Sequence, residues 1–342
     1  MTFNFLLREM THLRYFIPIV EEGNARGVKS NFYITHSGKY NCPTIHRDFL
    51  NKIKKKYNIG TLEEYDLESI EGFWFANESS GLDITKKVAT QKSAKVIITT
   101  YQTDFTQCYP KYSAIADYIM MPSEKVAQYY NLEGEKNIYV GIPKYDIEID
   151  SSKVLEKYGL DLNRKKVLLM WPKSRDLAKF PIDIISNFQQ LGWQVLVKAR
   201  GKDPISKNTA NYLLSGGHKF FYDGWFPHTS QELLEVSDLV VNCGSTTIEE
   251  CVMHEVPLIN FDIKPEVRHG KKQKHRVTHD YLYNYKFCIN IPSLNKNFNT
   301  AMLNAMIQSL LQKDLKSEFK KCKQEWLYDH KNTCKNLLDM IL

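Results

Sequence analysis

The amino-acid sequence predicts an α/β protein with two doubly wound parallel sheets, each flanked by helices. Two observations support this class. Short apolar runs of strand length alternate with helical stretches along almost the whole chain. A length of 342 residues exceeds what one hydrophobic core usually organises, so we divide the pattern between two Rossmann-type domains.

The first half of the chain supplies one sheet. Helices are predicted between its strands, over residues 48–57 and 124–130. The predicted strands cover residues 15–20, 31–35, 72–76, 96–100, 118–121 and 138–140.

The second half repeats this pattern and ends in helices. A polar stretch near residues 146–153 predicts the joint, which gives domains over residues 1–146 and 147–313. The helix of residues 314–342 is predicted to pack back on the first domain. The predicted strands of the second domain cover residues 167–170, 193–198, 219–222, 239–242, 257–261 and 287–291.

Composition narrows the class of protein. With 43% hydrophobic and 25% charged residues, the chain has the composition of an ordinary soluble globular protein. Its seven cysteines include no Cys-x-x-Cys pair, which favours a reduced cytoplasmic protein without a zinc site. No apolar run approaches the roughly 18 residues that span a bilayer, and the start is too short for a secretory signal. The net charge of +7 favours anionic partners.

A turn of small residues is the most informative local pattern. The strand over 239–242 runs into Gly244, Ser245, Thr246 and Thr247, where a helix begins. Such a turn aims backbone N–H groups and the positive end of the helix dipole at one point, which suits a phosphate. Glu249 or Glu250, one turn later, is then placed to bind sugar hydroxyls. The alternative is that Ser245 and Thr246 simply cap an ordinary helix.

Two more polar loops follow strands of the same domain. Ser174 and Arg175 come after the strand over 167–170, while Lys198 and Arg200 end the strand over 193–198. Carboxyl ends of parallel strands meet at one sheet edge, so these groups are predicted to gather around a diphosphate. Cations there stabilise a leaving diphosphate as its charge grows, which requires no metal. The alternative for each loop is a solvated basic surface.

Aromatic and acidic segments allow two interpretations each. Trp225 and Phe226 lie at a loop tip, where they either stack on a nucleobase or cover the domain edge. The acidic run over 146–150 has spacing that a metal site uses, but it lies in the predicted joint. We therefore predict no metal and no cofactor, with the activated nucleotide acting as substrate.

Residues 138–342 resemble the nucleotide-binding half of a GT-B glycosyltransferase, and most closely the CDP-glycerol glycerophosphotransferase (teichoic-acid polymerase-like) branch. The run from Gly141 to Asp146 is similar to the end of the first domain there, and the run from Pro172 to Asp176 to a donor loop. The segment from Asp238 to Pro257 resembles the donor motif, whose acidic residue precedes the proline by seven positions and is here Glu250. The resemblance implies two domains facing across a cleft, with C-terminal helices crossing back.

Departures from that branch bear on the reaction. The branch carries a His-Gly-Thr-Pro run where this chain has Tyr101-Gln-Thr-Asp104-Phe105, and a histidine where this chain has Arg200. Both histidines that the branch ties to catalysis are absent, which shifts the expectation from glycerophosphate transfer to sugar transfer.

An inverting sugar transferase needs a base near the attacked carbon, and the first domain supplies the candidates. Glu22 lies in a predicted glycine-bearing loop after the strand over 15–20, Asp104 follows the strand over 96–100, and His36 is a third choice. A retaining enzyme would need no such base.

The predicted function is transfer of a sugar from a CDP-, CMP- or UDP-linked donor to a cell-surface glycan or its lipid-linked precursor. The alternatives are a polyol-phosphate transferase, a nucleotide-sugar epimerase and a non-catalytic module that binds an anionic glycan or nucleic acid. Basic patches, including the cluster from Arg268 to Arg276, suit peripheral association with the inner face of the membrane. No recognition helix or aromatic-basic sheet motif is found, so no nucleic-acid partner is expected.

Overall fold

The computed structural model describes most of the chain, and the fold and site below refer to these residues. The chain divides into two compact units: Met1–Glu148 with Lys323–Leu342, and Ile149–Gly224 with His228–Cys322. The described ranges are 1–7, 10–34, 47–59, 70–77, 81–100, 109–171, 183–199, 206–215, 218–221, 228–243, 245–261, 280–291, 299–328 and 332–342.

The first unit contains a six-stranded parallel sheet in the order β2-β1-β3-β4-β5-β6. Its strands are β1 (Thr2–Leu7), β2 (Lys29–Ile34), β3 (Gly72–Asn77), β4 (Ala94–Thr99), β5 (Tyr118–Met121) and β6 (Asn137–Tyr139). Its helices are α1 (Leu13–Ala25), α2 (Arg47–Tyr57), α3 (Leu82–Gln91), α4 (Tyr109–Ser113) and α5 (Glu124–Tyr130), with α13 (Thr333–Ile341) from the chain's end. The strand order reverses between β1 and β3, as in flavodoxin-like sheets.

The second unit contains a six-stranded parallel sheet in the order β12-β11-β10-β7-β8-β9. Its strands are β7 (Lys166–Met170), β8 (Gln194–Lys198), β9 (Lys219–Phe221), β10 (Leu239–Asn242), β11 (Leu258–Phe261) and β12 (Cys288–Ile291). Its helices are α6 (Ser151–Tyr158), α7 (Asp183–Gln190), α8 (Lys207–Ser215), α9 (Thr229–Glu235), α10 (Thr247–Met253), α11 (Thr300–Leu311) and α12 (Lys316–Cys322). Counted within the unit, this is the strand order 3-2-1-4-5-6 of the Rossmann fold, which reverses between β7 and β10.

The second sheet has a dry face and a face that turns polar at its carboxyl edge. Alternate strand residues such as Val167, Val197 and Val241 are buried with α7 and α11 in one apolar cluster. Because successive side chains of a strand point to opposite faces, Asn242 and Lys198 belong to the other face. The two faces therefore differ where the strands end.

One predicted strand of the first unit is wrong. Residues 15–20 lie in α1, and the first strand of the sheet is Thr2–Leu7. A short apolar run does not by its periodicity distinguish a buried helix from a buried strand. Helix α1 is apolar on most sides because it packs against β1, β2 and α13.

The end of the chain is tied to the first unit by polar contacts. Asp146 accepts a 2.6 Å hydrogen bond at Oδ2 from the backbone nitrogen of Cys334, at the start of α13. Arg26 follows α1, and its Nη1 atom lies 2.7 Å from Oδ1 of Asp339 in α13. A π-helical turn over Lys323–Leu327 precedes α13 in the chain. The Ser123 hydroxyl donates a hydrogen bond to the carbonyl of Trp326 in this turn.

Within the described ranges, none of the helices combines the length and the apolar character that crossing a membrane requires.

Candidate functional site

The candidate site lies at the carboxyl edge of the second sheet, where the strand order reverses. Strand β7 leads into Trp171, which is buried and donates its backbone N–H to the carbonyl of Lys198, 2.9 Å away. Strand β10, its neighbour across the reversal, leads into Cys243 and Ser245 and then into α10. In open parallel sheets this reversal point is where ligands bind.

The turn before α10 makes both hydroxyl and backbone contacts. The Ser245 and Thr247 hydroxyls lie 3.2 Å apart, and the Ser245 carbonyl accepts a 3.4 Å hydrogen bond from Ile248. Thr246 occupies the cap position but makes no side-chain capping bond. Thr246 therefore does not fill the capping role that was the alternative to a phosphate site.

Helix α10 buries two consecutive carboxylates in its first turns. Glu249 is 1% exposed and Glu250 is 4% exposed. Burial, together with the neighbouring charge of Glu250, raises the pKa of the Cys251 thiol well above its ordinary value. Cys251 is thus a protonated core thiol of low reactivity.

Lys198 lies in the same register row as the end of β10. Its neighbour across the ladder is Met170, and Leu169, one residue before Met170, pairs with Val241. Lys198 is 7% exposed, and its ammonium donates to the carbonyl of Ala199 at 3.0 Å. With strands about 4.8 Å apart, its Cα lies roughly 10 Å from that of Asn242 on the same face, within reach of one diphosphate.

Sequence reasoning missed a row of three asparagines on this face. Asn242 donates from Nδ2 to Oδ1 of Asn260 at 2.8 Å, and Asn260 donates from Nδ2 to Oδ1 of Asn290 at 2.8 Å. Asn242 also donates to the carbonyl of Ser245 at 3.0 Å. We call Asn242, Asn260 and Asn290 the amide row. The signal in the sequence was an asparagine at or near the end of three successive apolar strands.

The described part of the chain brings together some of the predicted donor residues. Lys198, the turn residues Ser245 to Thr247, and Glu250 all lie at or just beyond the carboxyl edge of the second sheet. Their roles as ligands of a nucleotide stay predictions. The remaining predicted site residues lie outside the described residues, as does the basic cluster from Arg268 to Arg276; they are His36, Asp104, Ser174, Arg175, Arg200, Trp225, Phe226 and Gly244.

Glu22 does not lie in a loop that follows a strand. It belongs to the last turns of α1, where its carboxylate lies 2.7 Å from Arg26. Next to it, Gly23 packs on the ring of Phe3 at the start of β1. Glu22 is therefore at the amino edge of the first sheet, opposite to the strand ends from which a base was expected. The expectation of a loop after a strand was wrong because residues 15–20 form part of α1. The observed position of Glu22 gives no support to a catalytic role.

No protein-family model matches the chain, and a search of curated proteins found no match either. Solved structures do match over 99% of the chain. The wall teichoic acid polymerase TagF, in an H444N variant soaked with CDPG, has a TM-score of 0.66 at 12% identity over 87% of its chain. UDP-GlcNAc 2-epimerase from Neisseria meningitidis bound to UDP-GlcNAc has a TM-score of 0.62 at 12% identity over 99% of its chain. The corresponding epimerase from Methanocaldococcus jannaschii has a TM-score of 0.64 at 10% identity over 99% of its chain.

These likenesses define the fold. The chain has a GT-B-like fold, with two parallel six-stranded sheets and flanking helices, as the sequence resemblance predicted. At 10% to 12% identity, they define nothing finer than the fold.

Proposed function

We propose that this protein is a nucleotide-dependent GT-B enzyme that binds an activated donor at the carboxyl edge of its second sheet. The observation that carries the proposal is the placement of Glu250. It is a buried carboxylate one turn into the helix that follows β10, beside the point where the strand order reverses. Buried carboxylates are costly without a binding or structural task, and this one lies where such sheets bind ligands.

Each described group would have a distinct task in that site. Glu250 would accept hydrogen bonds from the ribose hydroxyls of the donor, since a carboxylate is a strong acceptor. The hydroxyls of Ser245, Thr246 and Thr247 would donate to phosphate oxygens. Lys198 would exchange its bond to a carbonyl for the developing charge of the leaving diphosphate, which stabilises the transition state more than the ground state.

The reaction that we propose is transfer of a sugar from a CDP-, CMP- or UDP-linked donor to a glycan or lipid-linked acceptor, without a metal. Two observations support it. The polymerase soaked with CDPG and the epimerase bound to UDP-GlcNAc share this fold. The positions corresponding to the two histidines of the glycerophosphotransferase branch hold other residues, which disfavours glycerophosphate transfer.

Epimerisation of a nucleotide sugar is the second candidate. The observation that favours it is the share of each solved structure that this chain covers. The two epimerases are covered over 99% of their chains, whereas the polymerase is covered over 87%. An epimerase would convert a nucleotide sugar in the absence of any acceptor, which separates it from a transferase in a direct assay.

A thermal-unfolding panel tests the shared part of both candidates. CDP, UDP, GDP, ADP and CMP are each added to the full chain, with and without a chelator. A ligand present at 100 times its dissociation constant adds about 2.7 kcal/mol of stability. We expect at least one nucleoside diphosphate to raise the unfolding temperature, with no change on chelation. Lack of response to every nucleotide would contradict the proposed function.

The responding nucleotide then directs a product analysis. The matching nucleotide sugar is incubated with the protein, alone and with a lipid-linked acceptor. Release of nucleoside diphosphate only when acceptor is present supports the transferase. A change in the sugar's configuration without acceptor supports the epimerase instead.

A further inference from the structure

The amide row connects three strand ends to the turn that we assign to the donor phosphates. Asn242 is fully buried, and its Nδ2 group donates two hydrogen bonds, one to the Ser245 carbonyl and one to Oδ1 of Asn260. Asn260 is also fully buried, and its Nδ2 group donates a hydrogen bond to Oδ1 of Asn290 on β12. A side-chain bridge from a buried strand to the first residue of the turn fixes that turn more firmly than backbone bonds alone.

The bonding of Asn242 is also incomplete. Its Oδ1 atom is inaccessible to solvent and accepts no hydrogen bond from the residues that the structure describes. A buried carbonyl without a donor costs about 1–3 kcal/mol. A leucine of similar size would remove the unpartnered oxygen, but it would also remove the hydrogen bonds to Ser245 and Asn260. The position therefore carries an amide although one of its polar atoms finds no partner among the described residues, which is typical of groups kept for a site.

We infer that Asn242 is a positioning residue for the donor site, holding the Ser245 to Thr247 turn in the conformation that receives a nucleoside diphosphate. This inference rests on the proposed function and deepens it. The amide does not touch the ligand. It holds the Ser245 carbonyl against the sheet, and the hydroxyls of Ser245 and Thr247 then lie together, 3.2 Å apart.

The amide row also predicts a gradient of effects. Asn242 contacts the turn directly, Asn260 only orients Asn242, and Asn290 is one step further away. Loss of the Asn242 amide should weaken diphosphate binding most. Loss of the Asn290 amide should weaken it least, although each change removes a buried hydrogen bond.

The test compares Asn242→Leu with the matched control Asn4→Leu. Asn4 is 2% exposed in β1. It donates to the carbonyls of Glu71 and Phe73 and accepts from Asn31 and Tyr33, so the control loses at least as many hydrogen bonds in the other unit. Calorimetric titration measures the dissociation constants of the best nucleoside diphosphate from the panel and of its nucleoside. We expect Asn242→Leu to weaken diphosphate binding about tenfold while nucleoside binding changes less than about twofold. Asn4→Leu should change neither constant.

Each outcome decides the inference. A folded Asn242→Leu variant with wild-type diphosphate affinity would overturn it, as would equal weakening of diphosphate and nucleoside, because that would be general loss of structure. If Asn242→Leu does not fold, Asn260→Leu replaces it, with an expected weakening for the diphosphate of about threefold and none for the nucleoside. A wild-type protein that binds no nucleotide would instead overturn the proposed function.

Discussion

Asp146 and Cys334 are joined by a 2.6 Å hydrogen bond from the Cys334 backbone nitrogen to Oδ2 of Asp146, across 188 residues of sequence. Asp146 follows the short helical turn Pro143–Tyr145, near the end of the segment Met1–Glu148 of the first unit. The bond therefore attaches the start of α13 to this turn. Burial raises the pKa of Asp146, and the hydrogen bonds from Cys334 and Thr333 offset only part of that rise. The charged form of Asp146 is thus held at some cost.

The raised pKa of Asp146 predicts a pH-dependent effect of Asp146→Asn. In the folded state Asp146 binds its proton more tightly than in the unfolded chain, where its pKa is near 3.8. Its contribution to stability is therefore greatest below that value and declines as the pH rises through the folded pKa. Asparagine keeps the acceptor without the charge. We expect the stability of the variant relative to wild type to increase as the pH rises above about 4 and through the folded pKa of Asp146, measured by urea unfolding.

Asp150 should show the opposite dependence. Hydrogen bonds from the backbone of Lys153 and Ser152 lower the pKa of this exposed carboxylate, which caps α6. Its stabilising contribution is present above 3.8 and is lost as the pH falls through the lower folded value. Asp150→Asn should therefore lose stability relative to wild type at neutral pH and regain it in acid. Two variants with the same pH slope would contradict the assignment of both carboxylates.

The packing of α1 on β1 predicts a cost for Gly23→Ala. A Cβ atom at Gly23 would lie 2.9 Å from the ring of Phe3. That ring is fully buried and stacks edge-on against Phe5, Phe73 and Phe75, so it cannot move aside. Overpacking of this kind costs about 1–3 kcal/mol, whereas alanine gains at most about 1 kcal/mol over glycine in helix propensity. We therefore expect Gly23→Ala to lower the free energy of unfolding.

Urea unfolding measures the Gly23→Ala effect, with the exposed Glu21→Ala in the same helix as control. The control should stay within about 0.5 kcal/mol of wild type. A Gly23→Ala protein more stable than wild type would show that α1 does not pack on Phe3 as described.

Much of the fold could be predicted from the sequence, because buried parallel strands appear as apolar runs between polar turns. Strand β10, strand β5 and helix α5 begin and end at the predicted residues. The failure at α1 has a physical cause. A helix covered on most sides by a sheet and by another helix loses its polar face, so its apolar run is as continuous as that of a strand.

The candidate site was less predictable than the fold. The turn around Ser245 and the acidic position of Glu250 carry local signals, because small residues at a strand end and a carboxylate in the next helix are adjacent in sequence. The amide row has no local signal, only the recurrence of an asparagine near three strand ends, since Asn242, Asn260 and Asn290 lie far apart in the chain. Only the pairing of β10, β11 and β12 aligns them.

Glu250 is the group on which the assignment of the donor site depends. If it binds the ribose, the protein should discriminate between a nucleoside diphosphate and its 2′,3′-dideoxy counterpart. Hydrogen bonds to a carboxylate are worth enough to give a preference of about tenfold or more for the ribose form. Glu250→Gln should lose most of that preference, whereas Glu249→Gln, a change at the equally buried neighbour, should keep it.

The most direct measurement is a calorimetric double-mutant cycle, with wild type and Glu250→Gln each titrated with both forms of the responding nucleotide. We predict that the wild-type preference for the ribose form falls to about twofold or less in Glu250→Gln. A preference that Glu250→Gln retains in full would contradict the placement of the donor ribose at α10.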